Sequence, residues 1–62
     1  MNLFKAKDGS LINPSNVNLV RRYKEEGSWV VKFDFVFSAR EIIFNSEKDA
    51  NAEMERFEAH CA

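Results

Sequence analysis

Trp29, Val31, Phe33, Phe35 and Phe37 stand at five consecutive odd positions, so one extended segment carries four of the chain's eight aromatic residues on one side. Successive side chains of a strand point to opposite faces, and this spacing therefore commits one face to a core. The even positions hold Val30, Lys32, Asp34, Val36 and Ser38, a mixed set suited to water or to a partner. Such a pattern constrains the architecture more than the activity.

The chain has 62 residues, enough for one domain. A domain of this size buries only about 60% of the surface its unfolded chain exposes. Apolar burial and chain entropy then nearly cancel, so a further source of stability is expected. An intrachain disulfide is not available, because Cys61 is the only cysteine. No metal is expected either: His60, Cys61 and scattered carboxylates do not make up a tetrahedral Cys/His set. Gly9 and Gly27 are the only glycines, so there is no Gly-rich phosphate loop and no cofactor is expected. Dense aromatic packing, self-association or both remain, and the expected partner is a second copy, as a homodimer, or another protein.

The first residues, MNLFKAKDGS, lack the basic stretch and apolar run of a secretory signal. The apolar stretches are broken by Lys32 and Asp34 and fall well short of a membrane span. With a single cysteine, this points to a cytoplasmic protein that does not engage a membrane.

Along the chain, residues 3–6 alternate weakly and lead into Asp8-Gly9, a turn signal. Residues 11–12 form a second short strand. Asn13-Pro14-Ser15-Asn16 follows as a turn or single helical turn, with Asn13 or Ser15 bonding the local backbone. Residues 17–23 read as a strand with Val17, Leu19 and Tyr23 on one face and Val20 on the other. Lys24-Glu25-Glu26-Gly27 closes a hairpin, Gly27 taking the left-handed position. The aromatic strand spans 28–37, and a last strand spans 41–44 with Ile42 and Phe44 on the same face.

A helix over 46–60 completes the pattern. Ser46 is placed to cap it by accepting the Asp49 N–H, and Glu47 and Asp49 suit the positive end of the helix dipole. Ala50, Met54, Phe57 and Cys61 recur at intervals of four, three and four, giving one apolar stripe, with Glu53, Glu55, Arg56 and Glu58 in the other directions. The stripe needs an apolar surface, and the aromatic face of the sheet supplies it. Met54 and Phe57 are expected over Trp29, Phe33, Phe35, Ile42 and Phe44. The result is a two-layer α+β domain of order ββββα, an antiparallel three- or four-stranded meander with one C-terminal helix on one face.

The second sheet face is then the place for function. Val20, Val30, Lys32, Asp34, Val36 and Ile43 are the candidate protein interface, for a second copy or for another protein. On this reading a lysine at Val30 or Val36 disrupts a dimer and spares the fold, whereas Phe33→Ala unfolds the domain. The alternative is weak single-stranded nucleic-acid binding by Arg21, Arg22, Lys24 and Lys32, since such surfaces join basic side chains to stacking aromatics. Charge is uneven along the chain, with seven basic against four acidic residues up to residue 40 and two against six thereafter. Against binding to nucleic acid stand the net charge of −1 and the commitment of the aromatics to the helix. His60 and Cys61 adjoin near the end of the chain, where the fixed geometry of nucleophilic catalysis is not expected, so the chain reads as a non-enzyme. The residues point to no named family.

Overall fold

A computed structural model describes residues 2–62. It is a small α+β fold with a two-stranded sheet, a three-stranded antiparallel sheet and one C-terminal helix. Strands β1 (Phe4–Lys5) and β2 (Leu11–Ile12) make the first hairpin, with Phe4 opposite Ile12. The first strand therefore stays out of the main sheet altogether. Its reversal is local chemistry: Ala6 N–H donates to the Ser10 carbonyl at 2.8 Å, Gly9 takes a φ of +91°, and Asp8 accepts the Ser10 N–H at 2.9 Å. That hydrogen bond holds the Asp8 carboxyl below its ordinary range. Pro14–Asn16 forms one turn of 3₁₀ helix, and the Asn13 side chain accepts the Ser15 N–H before it.

The meander consists of β3 (Leu19–Glu25), β4 (Ser28–Asp34) and β5 (Ala39–Phe44), with β4 in the centre. β3 and β4 join through Glu26 and Gly27, both at positive φ, the backbone of a two-residue hairpin whose twist matches its strands. At its other end β4 stops at Asp34, three residues short of the expected boundary. Phe35 N–H donates to the Ser38 carbonyl at 2.8 Å as the chain turns, and β5 begins at Ala39, pairing back onto Asp34. The alternation of residue types runs on past the point where the backbone reverses. Phe37, expected in the core, is consequently 97% exposed at the turn.

Residues directly opposite in an antiparallel ladder share a face, so the register assigns the two sides. Val20 and Arg22 lie opposite Phe33 and Val31, and Val31 lies opposite Ile42. This is the side that receives the helix α1 (Glu47–Cys61). The other side carries Leu19, Arg21 and Tyr23 from β3, Val30, Lys32 and Asp34 from β4, and Glu41 and Ile43 from β5. The expected orientation of β3 is thus reversed. Val20 packs on the core and Leu19 is exposed, because pairing to β4 sets the register and two isolated apolar residues do not outweigh it.

The core joins Val31, Phe33, Ile42 and Phe44 of the sheet to Ala50 of the helix, with Met54 and Phe57 packed against them. Ser46 caps α1 as expected, accepting the Asp49 N–H at 3.2 Å. Two departures matter. Phe4, Ala6 and Ile12 bring the first hairpin into the same core, where the Phe4 ring meets Phe57 edge-on at 5.0 Å between centroids. Along the helix Cys61 is exposed, while Glu53, expected in solvent, is only 4% exposed.

Candidate interaction surfaces

The open sheet face is organised around Asp34. Arg21 Nε lies 3.2 Å from one of its carboxylate oxygens and Lys32 Nζ 3.9 Å from the other. Across the same face Tyr23 donates its hydroxyl to Glu41 at 2.5 Å, and this bond pushes the Tyr23 phenol up to about 12. Removing the proton would set two negative oxygens side by side. Val30 lies between Tyr23 and Ile43 in the ladder and is only 2% exposed, so it offers no contact area to a partner.

The expected interface residues are therefore divided. Val30, Lys32, Asp34 and Ile43 share the open face; Val20 is on the helix side, and Val36 is in the turn between β4 and β5. The four basic residues of the nucleic-acid alternative are divided as well. Arg21 and Lys32 share Asp34 on the open face. Arg22 and Lys24 alternate with Arg21 along β3 and so point to the other side. There Arg22 stacks 5.7 Å from the Trp29 ring centroid and lies 3.8 Å from the Glu47 carboxylate. They do not form one basic track.

His60 serves the first strand: its Nε2 lies 3.0 Å from the Asn2 carbonyl, and its ring meets Phe4 edge-on at 5.4 Å. Among the described residues no group of three His, Cys, Asp or Glu side chains converges as a metal site. No helix among them is long and apolar enough to cross a membrane.

An exposed apolar surface lies where the first hairpin meets the Phe35–Ser38 turn. Leu3, Leu11, Phe35, Val36 and Phe37, with Ile12 beneath and Asn13, Asn16 and Ser38 beside them, line a groove of about 520 Å³. Val36 is 67% and Leu11 65% exposed. Among the described residues no charged side chain lines this groove. Of the expected contact residues only Val36 belongs to it. A signal for it exists in the chain: Phe35, Val36 and Phe37 are apolar at both parities, so a strand through them has no polar face, and a reversal is needed somewhere between Asp34 and Glu41.

The chain matches no protein-family model, no curated protein and no solved structure.

Proposed function

We propose that this chain is a small, non-catalytic protein-association module whose contact surface is the apolar end formed by Leu3, Leu11, Phe35, Val36 and Phe37. One observation carries the reading: a phenylalanine with almost its whole side chain in water stands beside an uncharged groove. Contiguous exposed apolar surface of this kind marks contact sites, and the centres of interfaces are rich in aromatic residues and poor in charge.

Desolvation favours this surface over the open sheet face. Covering that face would remove water from Asp34, which is paired with Arg21 and Lys32, and from Glu41, which accepts the Tyr23 hydroxyl. Taking such pairs out of water costs as much as their attraction returns, or more. The apolar end carries no such penalty. The division of Arg21, Arg22, Lys24 and Lys32 between two faces withdraws support from single-strand nucleic-acid binding, which needs a continuous basic path.

Site-specific photo-cross-linking in the expressing cell tests the reading. A photoreactive phenylalanine analogue at position 37 is expected to form defined protein adducts, and the same analogue at Lys48, on the exposed side of the helix, is not. Equal labelling from both positions would overturn it.

A further inference from the structure

We infer that the partner at the apolar end is a second copy of this chain, the two related by a two-fold axis so that each Phe37 enters the other's groove. The inference rests on the association reading above and names its occupant. Both halves of the contact are on one surface: the exposed Phe37 side chain, and the groove that it lines together with Leu3, Leu11 and Phe35. A surface bearing projection and recess together is self-complementary, and a two-fold axis closes it without leaving a free end that would grow into a fibre.

Charge supports the same occupant. A two-fold axis brings identical groups together, so any uncompensated charge near it meets its own copy. Among the described residues the groove lining contains no charged side chain, and Asn13, Asn16 and Ser38 offer amide and hydroxyl groups that both donate and accept. Elsewhere the exposed surface carries charges that such a contact would set against themselves, as Lys48, Glu55 and Glu58 along the outer side of the helix do. Area also suffices. An aromatic side chain contributes on the order of 200 Å², and with Val36, Leu11 and Leu3 the two copies together cover roughly 1,000 Å², the lower bound for a specific interface. A contact of that size is reversible, and a domain of 62 residues gains stability from it by mass action.

Sedimentation equilibrium tests the inference with three proteins. The wild-type mass is expected to rise from one chain towards two as concentration goes from roughly 10 to roughly 500 µM, the range of a small interface. Phe37→Ser is expected to remain at one chain throughout, and Ile43→Lys, on the open sheet face, to behave as the wild type. The thermal midpoint should rise with concentration for the wild type and not for Phe37→Ser. Phe37 is exposed, so the serine variant keeps the wild-type circular dichroism; Val36→Lys repeats the test by charge.

A wild type that stays at one chain across the range overturns the second copy, and the adducts from position 37 then decide whether the association reading survives with a different protein. A dimer that persists in Phe37→Ser and is lost in Ile43→Lys overturns both, and moves the contact to the sheet face.

Discussion

The Glu53 carboxylate accepts the backbone N–H of Lys7 at 2.8 Å, tying the middle of the helix to the first hairpin across 46 positions of sequence. The same carboxylate takes two hydrogen bonds from Arg56, at 3.0 Å from Nε and 2.6 Å from Nη2, and Nη2 also donates to the Lys5 carbonyl at 2.9 Å. The guanidinium lies 4.7 Å from the Phe4 ring centroid. A ladder of two residue pairs is too short to hold a hairpin by itself. This polar clamp and the Phe4 ring hold it, and with it the Leu3 and Leu11 half of the apolar end.

Removing the carboxylate should loosen the hairpin before the sheet. Glu53→Ala is expected to cost about 1–3 kcal/mol, the range for leaving polar partners unmatched, read from the urea midpoint. Hydrogen exchange at the Lys7 amide should accelerate, while amides of β4 lose only what global stability loses. Glu53→Gln should fall between, since it still accepts from Lys7 but no longer pairs with a charge. Unchanged Lys7 exchange in the alanine variant would show that the clamp does not hold the hairpin.

Two phenylalanines should respond in opposite ways. Phe4 is buried against Phe33, Phe57 and His60. Phe4→Ala is expected to cost about 3–5 kcal/mol, most of the stability available to so small a domain. Phe37→Ala should change the stability of the single chain by no more than about 0.5 kcal/mol, as at other exposed sites. Chemical unfolding at low micromolar concentration checks both. Comparable losses would mean that the turn folds back onto the core.

How far the sequence could be read follows from what each signal measures. Phe33, Ile42, Phe44 and Ala50 were legible because strand and helix periodicities extend over several residues and report a face directly. Phe4 was not, since two residues of strand define no period. The exposure of Phe37 is not legible either, because alternation of residue type says nothing about where the backbone reverses, and no Gly, Pro, Asn or Asp lies within residues 35–38. Glu53 shows another limit: a glutamate reads as solvated unless its partners are known, and one of them is a backbone N–H 46 positions away. Val30 shows the same limit on the open face. It is buried there by its ladder neighbours, so Val30→Lys is now expected to damage the fold.

The turn between β3 and β4 offers a test of backbone strain alone. Gly27 has a φ of +82°, and a Cβ built on it would meet nothing within 4 Å. Gly27→Ala should therefore cost about 1 kcal/mol through the left-handed backbone and nothing through contact. Its neighbour Glu26 already occupies a φ of +49° with a side chain poorly suited to it. Glu26→Asn should stabilise by about 0.5 kcal/mol, as asparagine is among the residues with a side chain that best tolerate that region. Thermal unfolding of both variants checks the pair, and a neutral Gly27→Ala would show that the turn relaxes to another type.

The open sheet face has its own reporter, because Tyr23 is the only tyrosine in the chain. Its hydrogen bond to Glu41 stabilises the protonated phenol, raising the pKa from about 10 to about 12. The folded state thus holds this proton more tightly than the unfolded chain does. The resulting contribution to stability is complete below the unfolded value and is lost as pH rises through the folded one, between about 10 and about 12. Ultraviolet absorbance of tyrosinate should accordingly show its midpoint near 12 in the folded protein and near 10 in denaturant. Glu41→Gln removes the negative charge and should bring the folded midpoint back towards 10. A wild-type midpoint already near 10 would mean that Tyr23 and Glu41 are not bonded in solution, leaving Glu41 free to pair elsewhere. That outcome would weaken the case that the charges of the sheet face are already engaged, and with it the preference for the apolar end.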